Sequence, residues 1–275
     1  MKDFTGRVAV ITGAASGIGL AMARRFQAEG MRLVLADLNG AALEGLVPEF
    51  PGAKMVVVDV ANAADIERLA NEAFEEFGAV HVLCNNAGIG SRPYMTWQHT
   101  EESWDNVIGI NLRSVIHGVR VFVPRMLAQG SEGHIVNTAS MAGHGAAPLM
   151  GPYNVTKYGV VALSEVLHFE LQVIQSKLRV SVLCPGFVKT NIAVAAEGAE
   201  GLSAAQEDFA AMIRQRVEEG IPAEGVAERV LDAIRDEQFW ILTHADYLPG
   251  VTTRAEAIVS QTNPPMPELV KGAAR

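Results

Sequence analysis

Cysteine is almost missing from this chain: Cys84 and Cys184 are the only two in 275 residues. Both lie in apolar runs and read as buried thiols or, at most, one redox pair. A disulfide framework is excluded, because that needs more cysteines in a shorter chain. Basic charge is scarce too. Lys and Arg number 22 against 31 Asp and Glu, a formal net charge of -9, and no Lys/Arg cluster forms a stripe. That balance argues against nucleic acid as a partner. No run approaches the roughly 18 apolar residues of a membrane span, and a strand pattern begins within a few residues of Met1 with no apolar signal stretch before it. A cytoplasmic protein without a membrane partner is expected. The His, Asp and Cys residues show no metal-ligand spacing, and His134, His144 and His168 have no visible catalytic partner, so no metal is expected.

What is present is apolar and periodic. Hydrophobic residues make up 49% of the chain, enough to bury the core of one large α/β domain. Short β-branched runs recur from Val8 to Thr12, Leu33 to Asp37, Met55 to Asp59, His81 to Cys84, His134 to Thr138 and Arg179 to Pro185, each followed by an amphipathic stretch. A further run, Phe239 to Thr243, follows a helical pattern from Ala223 to Arg235. Strands alternating with helices specify a parallel sheet covered on both faces, and continuous apolar strands fit that burial. The residues after Tyr158 (Val160, Val161, Leu163, Val166, Leu167, Phe169) are apolar around most of a helix, which hints at a subunit interface and a homodimer or homotetramer. Residues 1–243 are expected to form the catalytic domain, with a mobile substrate loop over about 186–202 and an extended tail over 244–275, where Pro264, Pro265 and Pro267 exclude a helix or central strand.

Thr12-Gly13-Ala14-Ala15-Ser16-Gly17-Ile18-Gly19 leaves the first strand and opens the first helix. Glycines there let backbone turn sharply and approach a pyrophosphate, whose charge meets the helix N-terminus. Asp37 ends the second strand, 24 residues after Gly13, where an acid can accept the adenosine ribose hydroxyls. No Arg or Lys follows at Leu38, Asn39 or Gly40 to offset a 2′-phosphate, so NAD is expected in preference to NADP. Asp37 has an alternative use as the cap of a helix near Ala41, a role also open to Asn39. Asp59 either binds the adenine amino group or simply leaves the sheet.

Tyr153 and Lys157 stand four residues apart, and Gly151-Pro152 marks a helix start before them. Residues i and i+4 share a helix face, so a phenol and an ammonium become neighbours. A free tyrosine has a pKa of about 10, and a nearby cation is the simplest device for bringing it toward neutral pH as a proton-transfer group. Ser140 lies thirteen residues upstream of Tyr153, at the end of the fifth apolar run.

These residues resemble the short-chain dehydrogenase/reductase family. T-G-x-x-x-G-I-G at Thr12 to Gly19, N-N-A-G at Asn85 to Gly88, Asn111, Ser140, Y-x-x-x-K at Tyr153 to Lys157 and P-G-x-x-x-T at Pro185 to Thr190 occur in family order. The resemblance implies a doubly wound Rossmann-type fold with strand order 3-2-1-4-5-6-7, and hydride transfer between a nicotinamide and a carbonyl or secondary alcohol carbon. It implies Tyr153 as general acid/base and Ser140 as the hydroxyl holding the substrate oxygen. Lys157 would hold the nicotinamide ribose and depress the Tyr153 pKa, and Asn111 would anchor a water joining Lys157 to solvent. In the cofactor set it adds Ser16, Ile18, Val60, Asn86, Gly88, Pro185, Gly186, Val188 and Thr190. Short phrases such as Phe122-Val123-Pro124-Arg125-Met126 are similar to bacterial members that oxidise benzylic alcohols of lignin-derived aryl ethers.

The substrate is then expected among loops carrying Tyr94, Met141, His144, Met150 and Phe187, a mostly apolar set that suits a hydrophobic or aromatic alcohol or ketone. An NADPH-dependent ketoreductase of lipid or polyketide type is the alternative, and a dinucleotide-binding protein without catalysis a further one.

Overall fold

Val8 and Val10 point to one side of the first strand and Ala9 and Ile11 to the other, and all four are fully buried. Alternate side chains of a strand face opposite ways, so a strand covered on both sides must be apolar throughout. A computed structural model describes residues 1–196 and 200–267, with residues 194–196 by backbone alone.

The chain alternates β1 (Val8–Thr12), α1 (Gly17–Ala28), β2 (Arg32–Asp37), α2 (Gly40–Leu46), β3 (Lys54–Val57), α3 (Ala63–Phe77) and β4 (Val82–Asn85). It continues through α4 (Glu101–Ile108), α5 (Ser114–Ala128), β5 (Gly133–Thr138), α6 (Gly151–Val173), β6 (Leu178–Cys184), α7 (Ala204–Glu218), α8 (Ala223–Asp236), β7 (Trp240–Leu242) and α9 (Leu248–Val259). The strands form one parallel sheet in the order β3-β2-β1-β4-β5-β6-β7. Met22 and Phe26 of α1 and Val230 and Ile234 of α8 cover one face; Leu69 of α3, Phe122 and Met126 of α5 and Leu167 of α6 cover the other. The order reverses between β1 and β4, and ligands of such sheets bind at the carboxyl ends beside that switch point.

The stretch 101–128 is long and apolar enough to cross a membrane by composition, yet half of its most apolar window is buried and it packs on α3 and α6. It is the core helix pair α4 and α5, joined by one wide π turn over Gly109–Arg113.

Two sequence expectations need correction. β3 ends at Val57, so Asp59 lies beyond the strand in the turn toward α3. The expected extended tail contains a helix, α9, preceded by a tight turn at Ala245–Tyr247. Pro249 stands in its first turn, where a missing N–H costs nothing. Residues 262–267 are non-helical, and 268–275 lie outside the described residues, as do 197–199 of the expected loop.

Candidate functional site

The glycine loop is dictated by contacts that leave no room for a side chain. Gly13 and Gly17 have φ of +65° and +53°, and a Cβ on Gly13 would stand 2.9 Å from the Ala87 Cα. A Cβ on Gly19 would lie 2.0 Å from the Gly13 carbonyl oxygen, and one on Gly17 3.0 Å from the Thr190 Cγ2. The loop is held to the segment after β4 by Thr12, whose Oγ1 accepts the amides of Asn86 (2.9 Å) and Ala87 (3.1 Å), and by Asn86 Nδ2, which donates to the Thr12 carbonyl at 3.0 Å. Ser16 occupies the cap position of α1 without a side-chain capping bond. The first-turn amides around Ile18 therefore remain available to an anion.

Asp37 accepts the Ala15 amide on Oδ2 and the Asn39 amide on Oδ1, each at 3.0 Å. Asn39 caps α2 by accepting the Ala42 amide at 3.1 Å, so the capping role falls to Asn39 and not to Asp37. Asp59 is exposed and accepts the Ala61 amide at 3.0 Å, a turn-forming use, while its neighbour Val60 is buried.

Tyr153 and Lys157 lie in the first two turns of α6, and both are buried. The Lys157 Nζ donates to the Thr138 carbonyl at 3.0 Å and stands 5.5 Å from the centre of the Tyr153 ring. Ser140 leaves β5; its hydroxyl donates to the Pro185 carbonyl at 3.3 Å and accepts the Ala142 amide at 3.1 Å. Asn111 sits in the π turn, a feature that recurs at functional sites. Its amide engages both backbone groups of Ile89, at 2.8 and 2.9 Å. A Cβ on Gly88 would lie 3.3 Å from Asn111 Oδ1 and 3.5 Å from Lys157 Nζ, so bare backbone separates the two side chains. The structure thus brings Asn111, Ser140, Tyr153 and Lys157 together beside the glycine loop.

Burial governs the electrostatics. It pushes Lys157 down to about 8 and Cys184 up to about 12, although Lys157 acts against the latter shift. Burial also pushes the Tyr153 phenol above its ordinary value, and the Ser140 hydroxyl pulls it the other way. The expectation that Lys157 holds the Tyr153 pKa down is therefore not met by the protein's own groups, because desolvation is the largest influence. The two cysteines are free and buried.

The segment after β6 is pinned from two sides. Ile221 donates to the Phe187 carbonyl at 3.1 Å and accepts the Lys189 amide at 3.0 Å, which fixes Val188 and aims Thr190 at Gly17. The Gly186 amide donates to His244 Nδ1 at 3.1 Å.

A cavity of about 650 Å³ runs from Ile18 and Thr190 past Tyr153 and Ser140 to the carboxyl-terminal part of the chain. Met141, Met150 and Phe187 line it as expected; His144 and Tyr94 do not. His144 turns inward, its Nε2 3.3 Å from the Cys184 Sγ and its ring against Trp240. Tyr94 turns away to donate to the Glu200 carbonyl at 3.1 Å and meet the edge of His99. Sequence reasoning missed the far wall, which comes from α7 (Phe209, Ile213, Arg216) and from Tyr247, Val251 and Arg254. Phe209, Ile213 and Val217 stand at helical spacing on α7, but that spacing does not say which surface they cover.

Among known proteins, residues 7–200 match the family described as short chain dehydrogenase. A short chain dehydrogenase/reductase from Burkholderia phymatum, crystallised in complex with NAD, superposes with a TM-score of 0.92 at 42% identity, covering 97% of this chain and 99% of that one. The C alpha-dehydrogenase of a Sphingobium species is 34% identical over 96% of this chain and 89% of its own length. A CLA biosynthesis dehydrogenase/reductase of Lactiplantibacillus plantarum is 31% identical over 96% of this chain and 97% of its own.

Proposed function

The chain belongs to the short-chain dehydrogenase family, and from that premise we propose that it moves a hydride between NAD and a hydrophobic or aromatic secondary alcohol or ketone, with Tyr153 as general acid/base. The observation that carries this reading is the convergence of buried Tyr153, Lys157 and Ser140 beside the glycine loop, with Tyr153 and Ser140 in the wall of a mostly apolar cavity that Ile18 and Thr190 also line. The loop of Gly13, Gly17 and Gly19 fits a pyrophosphate, because the tight turn these glycines permit leaves the first-turn amides around Ile18 without a side-chain cap. NAD, when bound, would supply the hydride acceptor for oxidation and the donor for reduction.

Ser140 orients the substrate oxygen, and Tyr153 takes its proton as the alcohol is oxidised or returns it on reduction. Lys157, 5.5 Å from the ring centre, is a cation whose charge favours the phenolate. That opposes the burial that raises Tyr153. Asn111 holds Ile89, and through it the segment bearing Gly88, while its Nδ2 also donates to Thr156 Oγ1 on α6 at 3.4 Å. Asp37 supports NAD over NADP: its carboxylate lies where a 2′-phosphate would be repelled, with no basic residue at Leu38, Asn39 or Gly40.

A homodimer or homotetramer belongs to the same reading, supported by Val166, Phe169 and Val173 on the outer side of α6, which are 51%, 60% and 82% exposed. So does a cytoplasmic location, supported by two free thiols. The test is a panel of secondary alcohols with NAD⁺ and NADP⁺, following reduced cofactor. Tyr153→Phe should lose turnover and keep NADH binding near wild type; retention of most of the rate would overturn the assignment.

A further inference from the structure

Two guanidiniums stand in the wall of the cavity, Arg216 on α7 and Arg254 on α9. Around them that wall is apolar, built from Phe209, Ile213, Val217, Tyr247 and Val251. Asp246 is the lone carboxylate in the lining among the described residues, and neither arginine forms a salt bridge with it or with any other described carboxylate. Elsewhere on the surface Arg24, Arg25, Arg68, Arg125, Arg179 and Arg235 each hold a Glu.

Arg254 lies over the ring of Tyr158, 5.1 Å from its centroid. Tyr158 follows Lys157 directly on α6, so this stack ties the carboxyl-terminal wall to the catalytic helix. A guanidinium resting on a ring keeps its in-plane N–H groups free, and their fork matches a carboxylate. Tyr153, Ser140 and the two guanidiniums line the same cavity, and most of the remaining wall is apolar. An elongated anion in that cavity can meet the catalytic hydroxyls and a guanidinium together.

We propose that the substrate carries an anionic group, a carboxylate at the far end of an apolar body, and that Arg254 and Arg216 receive it while the carbinol carbon lies at Tyr153. The proposal rests on the reading of Tyr153 as the proton-transfer group. Both arginines are exposed, so solvent screens them and the gain is moderate, about tenfold in affinity rather than thousands.

The test uses the full-length protein and two readouts. In the first, secondary benzylic alcohols bearing a para-carboxylate, on one ring or on a biphenyl, are compared with their methyl esters. The acid should be preferred by about tenfold in kcat/KM, mainly through KM, and that preference should collapse toward unity in the Arg216→Gln/Arg254→Gln double variant. In the second, octanoate and octanamide are titrated calorimetrically into NAD⁺-loaded protein, which needs no turnover. Octanoate should lose about tenfold in affinity in the double variant, and octanamide less than twofold. Turnover of neutral alcohols with no acid preference at any spacer length, or an octanoate affinity unchanged in the double variant, overturns the anion site and leaves the dehydrogenase reading standing. Absence of turnover with every alcohol, beside selective octanoate binding that the double variant loses, overturns the dehydrogenase reading and supports the anion site.

Discussion

The Nδ1 of His244 accepts the amide of Gly186 at 3.1 Å, while its Nε2 faces the Phe187 carbonyl at the same distance. One imidazole thus ties the segment after β7 to the loop after β6, using the tautomer with its proton on Nε2. The fit is close: a Cβ on Gly186 would meet the ring at 2.7 Å. His244→Ala leaves the half-buried Gly186 amide without its acceptor, while the Phe187 carbonyl keeps the Ile221 amide, a loss of about 1–2 kcal/mol. The expected result is a lower Tm and an NAD⁺ KM raised by about tenfold, because Pro185 to Thr190 form the nicotinamide side of the proposed site. His244→Asn keeps an acceptor for the Gly186 amide and should recover part of both losses. Thermal melts and steady-state kinetics on the two variants decide it.

Gly19→Ala asks a backbone oxygen to move, since the added Cβ would stand 2.0 Å from the Gly13 carbonyl. Overpacking of this kind costs about 1–3 kcal/mol, and the displaced atoms are those of the proposed pyrophosphate cradle. NADH affinity, read by fluorescence titration, should fall by at least about tenfold. Gly45, whose Cβ would meet nothing within 4 Å, is the control position: alanine there should leave the affinity as it is.

These two cases show what was legible in the chain and what was not. Gly19 and Gly13 announced themselves, because a backbone that must turn sharply and approach another backbone admits glycine alone. The strands did too, since Val8 to Ile11 are apolar on both faces and only a doubly covered sheet buries both. α9 was hidden for the opposite reason. None of its residues is buried, so no apolar stripe marks it, and Pro249 and Gly250 at its start read as breakers. His144 shows a second limit. Its position after β5 was correct for the cavity, but the direction of its ring is set by Cys184 and Trp240, which are distant in sequence. Asn111 lies in a π turn inside a continuous helical stretch, a feature that no residue pattern around it marks.

Lys157 makes a prediction about pH and stability. Its pKa falls from an ordinary 10.5 to about 8 because burial disfavours the charged form. Between those values the unfolded chain binds more protons than the native one, so stability rises with pH. From about pH 7.5 to about pH 9.5 the Lys157 contribution amounts to about 2 kcal/mol. Tyr153 is shifted upward and acts only above about pH 10, where it lowers stability. Urea unfolding of wild type and Lys157→Met across this range should show the wild type gaining on the variant as pH rises. A constant difference would mean that Lys157 titrates normally.

Gly250 and the size of the substrate form the last prediction. Gly250 lines the cavity in the first turn of α9, and a Cβ built on it meets nothing within 4 Å. A side chain is therefore accommodated by the fold and projects from the carboxyl-terminal wall. Gly250→Leu should leave the unfolding free energy within about 1 kcal/mol of wild type, since the cost of a glycine in a helix is removed. Its four extra carbons occupy space at the end of the cavity away from the glycine loop. Bulky biaryl alcohols should lose about tenfold or more in kcat/KM, through KM, and single-ring alcohols far less. NAD⁺ KM is the internal check, because a change there would place Gly250 near the cofactor instead. Equal losses for large and small alcohols would show that α9 does not bound the substrate, whereas a graded loss with substrate length would assign the carboxyl-terminal helix the role of setting how long a substrate the enzyme accepts.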